Sequence, residues 1–79
     1  MTITAKVREE GISLKALSKD ELHQLCKEHG LTNLKCDIVY YRLLEELSHK
    51  EIYKLLGYSK ARYFELKNKI KTNPIFHEI

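Results

Sequence analysis

The chain has 79 residues, of which 43% are hydrophobic and 32% charged, with a formal net charge of +3, the balance of an ordinary globular protein and not of a disordered tail or a membrane protein. Such a length builds one core, and a small domain buries only about 60% of the surface its unfolded chain exposes, so a homodimer would add stability. No apolar run approaches the roughly 20 residues that a bilayer span needs, and MTITAKVREEG lacks the apolar stretch and cleavage pattern of a secretory signal, so the expected setting is cytoplasmic with no membrane partner.

In chain order, Ile3, Ala5 and Val7 alternate before Gly11, which suits a short strand or an ordered arm over residues 1–17, and equally a frayed terminus. A single helical domain is then expected over residues 18–79, giving a mainly all-α, four-helix fold with room for short strands at the termini. Ser18 and Glu21 have the spacing of a capping box, in which the serine oxygen accepts the N–H of the third helical residue and the glutamate reaches back. The first helix therefore begins at about residue 19, carries Leu22, Leu25 and Cys26 on one stripe, and stops at about residue 29, before Gly30.

The second helix repeats Leu34, Ile38, Tyr41 and Leu44 on one row and Val39, Leu43 and Leu47 on another, the pattern of a central helix packed from more than one side. Ser48 and Glu51 repeat the capping box, so the chain turns a corner at Leu47 and Ser48. The third helix is expected to turn Ile52, Leu55 and Leu56 inward and to stop at Gly57. Ser59 caps a fourth, with Tyr63, Leu66 and Ile70 on its inner face, ended by Asn73 and Pro74. The tail from Ile75 to Ile79 suits either a short strand pairing with the N-terminal stretch or a loose end.

Cys26 and Cys36 are the only cysteines, and in a cytosolic helical chain two cysteines are read as reduced thiols. His23, Cys26, His29 and Cys36 have the chemistry of zinc ligands, but a three-residue recurrence of the first three along one helix turns past a metal and lacks the paired spacing of structural sites. No metal and no cofactor is expected. Neither a phosphate-binding glycine loop nor a nucleophile elbow occurs, so an enzyme with a small-molecule substrate is not expected.

Charge is unevenly spread. Up to Ser48 seven basic residues face eight acidic ones; from His49 onward Lys50, Lys54, Lys60, Arg62, Lys67, Lys69 and Lys71 face only Glu51, Glu65 and Glu78. A positive surface in that half would meet a phosphate backbone.

Residues 48–71 read as a short helix, a glycine turn and a second helix. With Leu47, Ser48, Lys50, Glu51, Ile52, Leu56, Gly57, Ser59 and Leu66 in place, this half of the chain resembles the helix-turn-helix family, in particular the tri-helical modules of LuxR-type regulators and of sigma-factor C-terminal domains. Two positions depart from the family pattern: Tyr53 stands where a small residue is usual and Tyr63 where a β-branched one is, so the helices cross more widely or the two rings stack. The segment LSKDELHQLCKEHGL resembles the opening of a SAP motif, another DNA-binding helical pair, although Lys35 and Arg42 fall outside its basic spacing.

The helix-turn-helix resemblance implies sequence-specific binding of double-stranded DNA by a small transcriptional regulator or a mobile-element or phage-type protein. It implies base contacts from Lys60, Ala61, Phe64, Glu65 and Asn68. Phosphate contacts would come from Arg62, Lys67, Lys69 and Lys71, and from His49, Lys50 and Lys54 on the supporting helix. The alternative is a protein-interaction module that presents Tyr40, Tyr41, Tyr53 and Phe64 to a partner chain.

Overall fold

The computed structural model describes residues 2–79. Five α-helices follow one another: α1 (Ile3–Glu10), α2 (Lys19–Glu28), α3 (Asn33–Leu43), α4 (His49–Leu56) and α5 (Lys60–Lys71), with single 3₁₀ turns at Leu14–Ala16 and Pro74–Phe76. The fold is all-α, and no strand occurs among the described residues. None of the helices is long and apolar enough to cross a membrane.

Where the alternation of Ile3, Ala5 and Val7 suggested a strand or arm, the chain forms a fifth helix. The reason is tertiary. Thr2 caps α1 by accepting from Ala5 N, and the two free amides of the first turn, at Ile3 and Thr4, donate to the Glu28 carboxylate at 3.0 and 2.9 Å. A helix start leaves such amides unsatisfied unless a partner is supplied, and here the end of α2 supplies it. The tail likewise makes no strand pairing; it curls into the 3₁₀ turn begun by Pro74, with Ile75, Phe76 and Ile79 in the core.

Both capping boxes form as the sequence spacing requires, at Ser18 with Glu21 and at Ser48 with Glu51. Each places its serine in extended backbone, which no helix can continue through. α3 stops earlier still, at Leu43, although its apolar rows run on to Leu47. The corner is made by Glu46 in the left-handed conformation, φ 54°, with Leu47 N donating back to Tyr41 O at 3.1 Å and Arg42 Nη1 to Leu47 O at 3.0 Å. Glu46 is the one non-glycine residue with positive φ among those described.

The core is continuous. Leu22, Leu25 and Cys26 of α2, Ile38, Val39 and Leu43 of α3, Ile52 of α4 and Tyr63, Leu66 and Ile70 of α5 join Phe76 in one cluster. α3 packs against α2, α4 and α5, which accounts for its two apolar rows. A polar relay ties the two ends of the chain to α2. Asn73 Oδ1 accepts from Ile75 N, so Asn73 Nδ2 donates to His29 Nδ1 at 2.7 Å. His29 Nε2 then carries the proton and donates to Thr4 Oγ1 at 2.9 Å, whose hydroxyl donates to Glu28 at 2.8 Å.

Candidate nucleic-acid interface

α4, the turn at Gly57 and α5 form two helices held against α3. Gly57 adopts φ 74° and its N–H closes the last turn onto Lys54 O and Tyr53 O. That left-handed geometry disfavours any residue with a Cβ. Tyr58 N donates to Tyr53 O at 2.9 Å, and Ser59 restarts the helix by accepting from Arg62 N. The reversal is thus made by backbone hydrogen bonds within six residues.

The inner side of this pair is aromatic. Tyr63 is wholly buried; its ring lies 5.8 Å from that of Tyr53 and 5.2 Å, edge to face, from Phe64. The two tyrosines that depart from the family pattern therefore pack on each other, filling the crossing with rings where a small residue would bring the backbones together. His49 joins them, its Nδ1 2.7 Å from the Tyr63 hydroxyl and its ring 5.6 Å from Phe64. Burial, followed by the charges of Arg42, Lys67 and Lys71, holds the His49 imidazole below its usual pKa. Burial raises the Tyr63 phenol, so both groups are neutral at pH 7 and one donates to the other.

The expected contact residues fall into two groups. Lys60, Ala61, Arg62, Glu65, Asn68, Lys69 and Lys71 are exposed along the outer face of α5, and Lys50 and Lys54 are exposed on α4. Phe64, Lys67 and His49 are half-buried at the edge of the aromatic cluster, with Lys67 Nζ 5.0 Å above the Phe64 ring. Glu65 bridges Arg62 at 3.2 Å and Lys69 at 3.3 Å. All three side chains are more than half exposed, so water screens these pairs and leaves them exchangeable. Lys60, Asn68 and Lys71 have no side-chain hydrogen bond or ion pair with another described residue among those found on this helix.

Two side chains lie where the sequence did not place them. Leu55, expected inward, is 60% exposed, the one large hydrophobic so placed among the described residues. α4 has only eight residues and needs a single buried anchor, Ile52, against the core. Arg42, which precedes the motif, is brought by the end of α3 close enough to His49 to act on its charge, as are Lys67 and Lys71 of α5. Its Nε is buried without a partner. Nothing local in the sequence marks Arg42, because its relation to His49 depends on how α3 packs against α4 and α5.

His23, Cys26, His29 and Cys36 do not converge. Cys36 Sγ lies 3.3 Å from His23 Nδ1, whereas both ring nitrogens of His29 are taken by Thr4 and Asn73. No group of three or more metal-binding side chains occurs among the described residues. Comparison with family models, with curated proteins and with solved structures finds no match to this chain.

Proposed function

We propose that the chain binds double-stranded DNA sequence-specifically by laying the outer face of α5 in the major groove, as a small regulator or mobile-element protein would. The observation that carries this reading is the seven-residue exposed face of α5, from Lys60 to Lys71, on a helix anchored from behind by Tyr63, Leu66 and Ile70. A rigid helix with an open, basic and hydrogen-bonding face has the diameter and chemistry the groove accepts. Lys60, Ala61 and Asn68 are the base-edge candidates, with Glu65 joining them when its pairs with Arg62 and Lys69 open toward phosphates. Lys50, Lys54, Lys69 and Lys71 supply the backbone contacts, and Arg42 adds positive potential behind His49.

Selection of bound duplexes from a random pool tests the reading directly: it yields one enriched motif, and a palindrome in that motif reports a dimer. With about five phosphate contacts, log Kd against log salt has a slope of magnitude about 4 to 5. Reversing Lys60 and Arg62 together to glutamate lowers affinity at least tenfold, each charged contact being worth roughly 1.5–3 kcal/mol. Absence of duplex binding at low salt sinks the proposal.

Leu55 favours a second reading, a protein-interaction module. A leucine 60% exposed on α4 offers an anchor for a partner chain. In that case the Lys60 and Arg62 reversals leave partner capture intact while Leu55→Asp abolishes it.

A further inference from the structure

The groove between α2 and α3 lies apart from α5. It has a volume of about 320 Å³ and is lined by Lys19, Asp20, His23, Cys36, Asp37 and Tyr40, among others. Cys36 forms part of its wall and is 6% exposed, whereas Cys26 of α2 is 1% exposed and is not among the lining residues. Both are free thiols. Cys36 Sγ sits 3.3 Å from Nδ1 of His23, whose side chain is otherwise exposed to solvent. A thiol reacts as its thiolate, and a neighbouring imidazole is the group that takes the proton. Three features thus coincide: an entrance for a small molecule, a thiol with a base on it, and, on the helix packed against it, a second thiol close enough for the first to act on its charge.

We propose that Cys36 is a peroxide-reactive thiol, activated by His23, and that Cys26 resolves its oxidised form as an intramolecular disulfide between α2 and α3. The oxidant is hydrogen peroxide. His23 Nδ1 takes the Cys36 proton, and the thiolate attacks one peroxide oxygen. The S–O bond forms as the O–O bond breaks, and the departing hydroxide takes the proton from His23 and leaves as water. The Cys26 thiol then attacks the sulfenic sulfur: the S–S bond forms, the S–O bond breaks, and the hydroxyl leaves with the Cys26 proton as a second water. Two thiols are oxidised and one peroxide is reduced to two waters.

The roles do not exchange. Burial, then the Cys36 thiol beside it, push the Cys26 thiol well above the usual range, so Cys26 does not initiate. It needs no access to solvent, because its only target is the neighbouring sulfur.

The test uses the folded full-length chain, reduced and then exposed to hydrogen peroxide, with trapping, alkylation and peptide mapping. The expected product is a Cys26–Cys36 linked peptide within one chain. In Cys26→Ser, a cyclic diketone traps sulfenic acid on Cys36. In Cys36→Ser, Cys26 is consumed at least about tenfold more slowly than Cys36 is in the unaltered chain. His23→Ala, a change at an exposed side chain, slows Cys36 oxidation about tenfold or more, general-base assistance being worth at least that. In denaturant the two thiols react at equal rates, which assigns the difference to the fold. Equal reactivity in the folded chain, disulfides only between copies, or a rate indifferent to His23→Ala with helicity unchanged by circular dichroism would each overturn the assignment.

Discussion

In the region made by α1, α2 and the tail, carboxylates close onto the chain itself. Glu28 accepts the amides of Ile3 and Thr4, and Glu78 accepts the Leu14 amide at 2.9 Å and the Ser13 hydroxyl at 3.0 Å. In α4 and α5 the charged groups point outward, and the ion pairs found there are the exposed ones of Glu65. One region uses its polar groups to hold together segments distant in sequence, and the other leaves most of them exposed to solvent. The difference follows from what each region must satisfy. α1 has a single buried side chain of its own, Val7, and depends on polar tethers, whereas α5 is held by Tyr63, Leu66 and Ile70.

The largest test of that contrast is Phe76→Ala. Phe76 is wholly buried in the tail and meets His29 edge to face at 5.6 Å. Its truncation should cost about 3–5 kcal/mol in denaturant unfolding, a large part of the stability of a domain this size. If helix loss then occurs in two transitions, α1, α2 and the tail form a separable unit; a single transition shows that the shared core couples both regions.

Gly57→Ala should cost about 1–2 kcal/mol. No atom lies within 4 Å of the added Cβ, so the whole loss comes from the left-handed backbone between α4 and α5. A loss well below that range would mean the turn relaxes. The capping serines permit a matched comparison, since Ser18→Ala and Ser48→Ala each remove one capping box and should each cost about 1 kcal/mol. On the proposed function, only Ser48→Ala weakens duplex affinity beyond what the fraction unfolded explains.

Acid separates the regions by pH. The amide and hydroxyl of Thr4 and the amide of Ile3 hold the Glu28 carboxyl down to about 2. The unfolded chain therefore takes up that proton first, and the tether's contribution, full above about pH 4.5, drains away as pH falls toward 2. Glu28→Gln should flatten the thermal melting temperature over that window. His49 acts higher. Its depressed pKa means that the unfolded chain binds the proton more readily from about pH 6.5 downward, so stability falls with pH there too. This is the smallest effect, and it should vanish in His49→Gln.

The helix starts and stops of α2, α4 and α5 were legible because a cap is local. Ser18, Ser48 and Ser59 act on amides three residues on, and Gly57 acts within its own turn. The uneven charge and the inward row of α5 are likewise properties of neighbouring residues. α1 was misread as a strand or arm because Ile3 and Val7 fit one face of a helix as well as one face of a strand, and the deciding partner, Glu28, lies 24 and 25 residues away. Leu55 was misplaced because apolar spacing does not show how much of a short helix the core covers.

The sequence by itself determined where most of the helices begin, where the chain must turn and which half carries the positive charge, since each depends on residues a few positions apart. Only the tertiary structure decided that residues 3–10 are helical, that Tyr53 and Tyr63 pack together, that the charge of Arg42 acts on His49 and that Cys36 meets His23 across α2 and α3. Those outcomes depend on how helices pack, and packing joins side chains whose separation along the chain carries no periodic signal.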